Sequence, residues 1–483
     1  MELATLKSPS AFLKFYLGDL PLDPTLREYE KWWEAEGKAI SATVDRGGTP
    51  WLKMFDPMGR RIDEILYPTA YWKMLNKGYE TGSVWRVFES ESLIPAYLLG
   101  YVTSFYDPGL YCPYTVSLST AVPLSKYADE QSKARFLPRL LRKDESVWQG
   151  ATWMTEVKGG SDLGAAVETS AREKQGRWIL TGDKYFASNA GAELAVVAAR
   201  REGAPSHVRG LSLFLLPRHR DDGNLNYLIR RLKDKTGTRS VPTGEVELRE
   251  SEAYLLGQPE QGVYLILEVL NISRVANSVA SVALMQRAMA EALIFAEGRV
   301  AFGKPILEHP LLRQQFEEKK ALLASAFALA WEAARLLEEV WRERPSYSAR
   351  YHLFRLVAHL AKYWTAEVAV QTAKWAMEVY GGMGVLAEFG IERWLREAMV
   401  LPIWEGTPHR QILDGLEAME RKRAHELLFE HLAPHAAPQA LEEIATRVEA
   451  HLALPPAERE ARAEPVFRNL AIFTAETLQS RGV

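Results

Sequence analysis

The sequence predicts an α+β protein with an N-terminal helical domain (1–148), a middle β-barrel-like domain (149–263), a C-terminal bundle of long helices (264–425) and an extra helical tail (426–483). Three observations carry this expectation. In the first third, apolar residues recur three and four apart between charged ones, the mark of amphipathic helices. In the middle, short β-prone runs are separated by turn signals. From residue 264, Ala-, Leu- and Glu-rich segments keep helical spacing for about 30 residues, the length of helices that pack side by side in bundles. At about 150 residues per domain, 483 residues suggest about three domains, and 47% apolar content is ample for their cores.

The first residues, MELATLKSPSAFLKFYLGDLPLD, hold charged and helix-breaking positions where an export signal needs an unbroken apolar stretch, so no such signal is expected. Thr25–Glu36 and Asp129–Lys143 then show the helical period, and the region up to 148 reads as mainly helical and rich in aromatics. Between Thr152 and Gly262 come RWIL, TGDK, YFAS, AELAVVAAR and GLSLFLLP, runs and turns of a β-domain. Helices are expected over Ser273–Ala301, Leu312–Arg342 and Ala349–Val379. After His425, prolines in HLAPHAAPQALEEI and ALPPAERE cut the chain into shorter helices, which reads as an appended helical subdomain. No 18 successive residues stay apolar, so no membrane span is expected, and neither an internal repeat nor a low-complexity tract is visible.

With 59 Lys and Arg against 62 Asp and Glu, the net charge is −3, and nothing in that balance supplies the basic surface that dominates nucleic-acid affinity. The lone cysteine, Cys112, rules out an intramolecular disulfide and a Cys-rich zinc or iron–sulfur site and fits a reducing cytoplasm. His425 and His431 match a zinc motif only loosely. Five residues lie between them, which puts them out of register on a helix, so no metal is expected. No G-x-S-x-G elbow or phosphate-binding P-loop appears, which removes serine hydrolysis and phosphoryl transfer of that kind.

The most informative stretch is IWEGTPHRQILDGLEAMERKRAHE. Thr407 suits an N-cap and Pro408 a first helical position, so a helix should start there with Glu405 on the loop before it. A carboxylate on such a loop can approach a substrate, or it can simply favour a helix entrance through the dipole, and the fragment alone leaves both open. Ile403-Trp404-Glu405-Gly406-Thr407 resembles the catalytic-base segment of acyl-CoA dehydrogenases, in which the Glu before Gly-Thr or Gly-Ser abstracts the proton α to a thioester carbonyl.

Further matches follow in the family's order over residues 50–425. Met154-Thr155-Glu156 with Gly159-Gly160-Ser161-Asp162 resembles the flavin loop, which implies flavin contacts at Met154, Thr155, Gly160 and Ser161. Gly182-Asp183-Lys184-Tyr185-Phe186-Ala187-Ser188-Asn189 resembles the strand that carries an aromatic against the flavin and a hydroxyl towards its N5, here Phe186 and Ser188. Strand alternation would set both on one face. Arg299-Val300-Ala301-Phe302-Gly303-Lys304-Pro305 resembles the segment whose Arg and Phe, here Arg299 and Phe302, reach a neighbouring subunit's FAD. Taken alone, Gly303 and Pro305 also read as an ordinary helix end. Tyr380-Gly381-Gly382-Met383-Gly384 resembles the segment whose backbone, at Gly381 and Gly382, meets the adenine side of that cofactor. The Rossmann-like spacing within it follows a helix rather than a strand and is accidental. Thr407 joins the cofactor-binding set by the same resemblance.

Asp56-Pro57-Met58-Gly59-Arg60-Arg61-Ile62-Asp63, Arg231-Leu232-Lys233-Asp234-Lys235 and Ile403-Trp404-Glu405-Gly406 look most like the AidB-like branch, which adds a C-terminal helical extension and is associated with the alkylation response and DNA binding. Glu378 stands where the family often has Gln, and Pro408-His409 replaces its usual polar pair, so adenosine contacts are not carried over at those positions. Ser273 occupies the place where a minority of members keep their base, which leaves Glu405 alone in that role. Arg274 matches a substrate-side arginine. Trp404 either lines the acyl pocket, pointing to a short or branched chain, or packs behind it.

The resemblance implies one FAD per chain, an acyl-CoA substrate, reoxidation by an electron-transfer flavoprotein and a homo-oligomer, in the family a tetramer. It also implies that flavin and a base-residue N–H polarise the thioester carbonyl while Glu405 takes the proton. Two other readings stay beside it: a DNA-associated protective protein with limited dehydrogenase activity, and an oxidase using O₂ on the same fold. The tail over 426–483 has five arginines against nine glutamates, and Arg421-Lys422-Arg423 covers a single turn, so the charge pattern argues against nucleic acid. A nitroalkane oxidase would carry Asp in place of Glu405.

Overall fold

The computed structural model describes residues 2–20 and 22–481, so the outer ends of the expected first domain and tail lie outside the described residues. The chain forms two compact units, Trp33–Leu99 with Asp107–Ser273, and Met1–Trp32 with Gly100–Tyr106 and Arg274–Val483.

The first unit is built on strands β1 (Trp51–Phe55), β2 (Arg61–Leu66), β3 (Gly150–Trp153), β4 (Ser170–Lys174), β5 (Arg177–Ala187), β6 (Leu194–Arg201), β7 (Leu211–Pro217), β8 (Leu228–Leu232) and β9 (Gly244–Leu256). β6 pairs with β4 and β7, β4 with β5, β5 with β9, and β9 with β7, so five strands close on themselves as a small barrel. β3 and β8 extend it from β6 and β9. Closure follows from the sequence: alternate residues Ala195, Val197 and Ala199 of β6, Phe214 and Leu216 of β7 and Val246 and Leu248 of β9 share one buried core, small alanines leaving room for the aromatics. Trp153 and Tyr227 also enter this core, and their polar tips are used: the Trp153 indole N–H donates to Ser188 O at 2.9 Å, and the Tyr227 hydroxyl meets Ala190 O and Ala192 O at 3.0 Å.

The region expected to be mainly helical also contains the β1–β2 hairpin. Its turn is Asp56-Pro57-Met58-Gly59, in which Asp56 Oδ1 accepts the Met58 and Arg60 N–H groups at 2.9 Å and Gly59 takes φ of 80°. This is turn chemistry that Asp, Pro and Gly announce locally. Buried Asp63 then accepts the Ile229 N–H at 2.8 Å and ties the hairpin to β8.

The second unit holds long helices: Gly262–Gly298, counted here from Arg274, then Pro310–Val340 and Ala349–Val379, the last with the expected ends. Gly262–Gly298 begins well before the expected Ser273, because Val263, Leu265, Ile266 and Val269 present no polar face to reveal a period. It is long and apolar enough to cross a membrane, which run length does not suggest, but 83% of its most apolar window is buried inside the protein, as in a core helix. The tail does not stand apart as a subdomain. Its Ala463–Ser480 helix packs against Pro310–Val340 and Ala349–Val379. The Phe467 ring lies 5.5 Å from that of Tyr363 and fills the space above Gly415, where a Cβ would meet it at 2.4 Å. His431 donates to buried Glu332 at 2.7 Å, with Arg481 at 3.6 Å.

Candidate active site

Between the Ile391–Ala398 and Pro408–Lys422 helices the chain turns through Pro402–Gly406, and Glu405 and Gly406 have φ of 58° and 101°. Glycine adopts this left-handed region freely, whereas for glutamate it costs roughly 1 kcal/mol or more. The turn holds because buried donors beneath it take up its carbonyl groups. Lys362, from the Ala349–Val379 helix, donates to Pro402 O at 2.8 Å and to Gly406 O at 2.6 Å. Gln411 donates to Glu405 O at 3.2 Å and to Gly406 O at 2.9 Å. Arg274 Nε reaches Glu405 O at 3.3 Å, and its Nη2 meets Asp414 at 3.3 Å.

Electrostatics follow from burial. Burial pushes the Glu405 carboxyl above the usual carboxylate range, and the charges of Arg274 and Lys362 draw it partly back. Burial, with the Arg274 charge beside it, lowers His359 to about 3, so its ring is neutral. With the Gln411 amide N–H groups committed to the loop, its Oε1 faces His359 Nδ1 at 2.9 Å, which assigns the ring proton to Nδ1. The half-buried Trp404 donates its indole N–H to Asn277 Oδ1, while the buried Asn277 Nδ2 finds no partner among the described residues.

Thr407 takes the N-cap position, but its side chain makes no capping bond, so the helix starts from Pro408 without the expected hydroxyl contact. Arg274 is buried against the Glu405 turn and Asp414 rather than open on a surface. Ser273 uses its hydroxyl within its own unit, on Val269 O at 3.4 Å. Lys362, Gln411, Asp414 and His359 were missed. Their signal was polar side chains on otherwise apolar helix faces: His359 and Lys362 three apart in AHLAKYW, Gln411 and Asp414 three apart in RQILDGL.

In the barrel unit the residues of the expected flavin loop come together. The Tyr185 N–H donates to Thr155 O at 3.0 Å, which sets Met154-Thr155 beside the Tyr185-Phe186 segment. Gly160 packs so closely that a Cβ would sit 2.5 Å from Thr155 Oγ1, while the backbone at Gly159, φ 131°, is open. The loop is anchored by buried Glu156, which accepts from the Glu168 N–H at 2.7 Å, the Thr169 hydroxyl at 2.5 Å and the Lys184 ammonium at 2.6 Å. Phe186 is 54% exposed, and the Lys233 ammonium lies 4.9 Å from its ring. Ser188 falls just past the end of β5, where the pairing bulges and its N–H bonds Phe186 O at 3.0 Å. The two are therefore not neighbours on a regular strand, although buried Ala187 and Asn189 still alternate with them.

In the helical unit, Arg299 follows Gly298, and the next residues are no helix end. β10 (Val300–Ala301) and β11 (Lys304–Pro305) form a minute hairpin turning at Phe302 and Gly303, φ 51° and 81°, which leaves Phe302 97% exposed. Tyr380 stacks on Phe295 at 4.0 Å, and Gly381 and Gly382 after it have no atom near the place of a Cβ.

Residues 260–419 match the model of the acyl-CoA dehydrogenase C-terminal domain, 151–251 that of the middle domain, and 24–145 that of the adaptive response protein AidB N-terminal domain. Acyl-CoA dehydrogenase family member 11 of Caenorhabditis elegans is 31% identical over 415 residues, 81% of this chain and 67% of that one. The putative acyl-CoA dehydrogenase AidB of Escherichia coli strain K12 is 29% identical over 402 residues, 79% and 71% of the two chains. The crystal structure of C. elegans ACDH-11 in complex with C11-CoA superposes with a TM-score of 0.83 at 26% identity, covering 98% of this chain and 85% of that one. The chain therefore belongs to the acyl-CoA dehydrogenase family, in its AidB-like branch, and is an FAD-dependent dehydrogenase.

Proposed function

We propose that this enzyme introduces an α,β double bond into an acyl-CoA thioester, with Glu405 accepting the α proton. The single observation that supports this most is Glu405 itself, a carboxylate kept in a left-handed turn by three buried donors to the turn's carbonyls and raised in proton affinity by burial. A structural acid at a helix entrance needs none of this. A base poised nearer neutrality transfers protons more effectively than an ordinary carboxylate, and a fixed loop brings it to the substrate in one geometry.

The residues present fit FAD. In the barrel unit Phe186 is half-exposed, Thr155 and Ser161 offer hydroxyls and Gly159 leaves backbone that a cofactor can approach; in the helical unit, taken by itself, Gly381 and Gly382 leave such backbone too. Bound FAD supplies the acceptor for the β hydride. Glu405 holds the α proton, and Trp404, fixed by Asn277, takes a place for the acyl chain. The C11-CoA complex of ACDH-11 supports an acyl-CoA of medium length, and electron-transfer flavoprotein is the proposed electron acceptor. Anaerobic titration with a panel of acyl-CoA esters, following flavin bleaching, tests the reading. One chain length should bleach the flavin stoichiometrically in the wild type and not in Glu405→Gln, and no bleaching with any ester would refute it.

A further inference from the structure

Lys362 is fully buried in the middle of the Ala349–Val379 helix, and no hydrogen bond joins it to a carboxylate among the described residues. Its ammonium instead spans the carbonyls of Pro402 and Gly406, the two ends of the segment that carries Trp404 and Glu405. A protein interior rarely places an ammonium against carbonyl groups alone, because desolvating the charge is expensive. The charged groups that act on it are Arg274 from the Gly262–Gly298 helix and Glu405 from the loop; Arg274 is in turn surrounded by Arg355 of the Lys362 helix and by Asp414 and Arg410 of the Pro408–Lys422 helix, and His359 lies beside Arg274, Arg355 and Asp414. His359 is neutral, and Asp414 is occupied by Arg274 and Arg410, which leaves Glu405 as the acidic group that feels the Lys362 charge. Burial, then repulsion from Arg274, brings Lys362 down to about 7 despite the attraction of Glu405.

We propose that Lys362 is the positioning residue of the base loop: it clamps both ends of the turn so that Glu405 keeps its left-handed backbone, and it sets a positive charge beside the Glu405 carboxyl. This rests on the reading of Glu405 as the base. The two effects separate chemically. A neutral amine retains two N–H donors and keeps both carbonyl bonds, so loss of the proton leaves the clamp and removes the charge.

Two substitutions read the effects apart. Lys362→Met keeps length and removes donors and charge, whereas Lys362→Gln keeps an N–H₂ group without charge. In FAD-loaded protein without substrate, hydrogen exchange over residues 400–412 should speed up roughly tenfold or more in Lys362→Met and less in Lys362→Gln. In single-turnover flavin reduction, both variants should shift the rising limb of the pH profile to higher pH, with the limiting reduction rate lowered and its dependence on acyl-CoA concentration little changed. Wild-type exchange together with an unmoved pH profile, in either variant that folds, would overturn the proposal. Should no acyl-CoA reduce even the wild-type flavin, the base reading fails, yet exchange still decides whether Lys362 clamps the loop.

Discussion

Glu405 bears two costs, a left-handed backbone and a carboxylate partly withdrawn from water, and each makes a measurable statement. Because its folded-state pKa is raised above the ordinary 4.5, the favourable contribution of the residue is complete below about that pH. It is lost as pH rises through the folded value. Glu405→Gln mimics the neutral form, so its melting temperature should match the wild type near pH 4 and exceed it at pH 8, the gap opening between. A variant less stable than wild type at pH 8 would mean that the carboxylate holds the loop. The same substitution should cut flavin reduction by substrate roughly 10²–10⁴-fold, the scale of losing a general base. Glu405 stands out in the sequence because the five residues around it resemble a dense family motif. Its supporting residues were not, since Lys362 and Gln411 lie 43 residues before it and 6 after it, and only the packing of two helices brings them under one turn.

At the scale of elements, the loop after β3, proposed to meet the flavin, depends on a buried ion pair. Lys184 of β5 is fully buried, and burial lowers its pKa while Glu156 opposes that shift. Glu156 is held below the carboxylate range against its own burial by Lys184, Thr169 and the Glu168 N–H. Removing one partner leaves the other buried and unpaired, a loss of about 3–5 kcal/mol. Glu156→Ala should therefore lower the unfolding free energy by about that amount and release FAD, read by denaturant titration and flavin absorbance. The double variant Glu156→Gln with Lys184→Met should recover most of the stability, since no charge is then stranded. Elements with a period were legible in advance, as at Ala349–Val379, which keeps its expected ends. The β1–β2 hairpin was not, because its strands WLKMF and RIDEIL are short and half-exposed, and a local turn at Asp-Pro-Met-Gly does not by itself say that strands flank it. The closure of the barrel likewise depends on pairings such as β7 with β9, far apart in sequence, that no local pattern encodes.

For the whole molecule, charge and exposed apolar surface point to different partners. Arg421 is paired with Glu417 and Arg423 with Glu426, and the acidic tail is packed into the bundle, so no basic face is offered there. Duplex DNA should bind weakly at physiological salt and lose affinity steeply as salt rises. A mobility-shift assay that finds tight binding would restore the DNA-associated reading. Large apolar side chains, by contrast, are exposed. Phe302 at its hairpin tip, with Val300, Leu311, Val385, Leu386 and Phe389, leaves the helical unit with large uncovered side chains of the kind that mark association surfaces. An aromatic held out in a left-handed turn gives a lone chain nothing, whereas a partner that covers it gains an anchor pointing outward in a fixed direction. Assembly and cofactor retention should then fail together. Arg299→Ala and Phe302→Ser should each lower the oligomeric state seen by light scattering from that of the wild type, proposed to be a tetramer, and should strip most of the flavin during gel filtration. A variant that turns monomeric yet keeps one FAD per chain would separate the two roles and remove Arg299 and Phe302 from the cofactor site, and a wild type that is itself a flavin-loaded monomer would remove the assembly altogether.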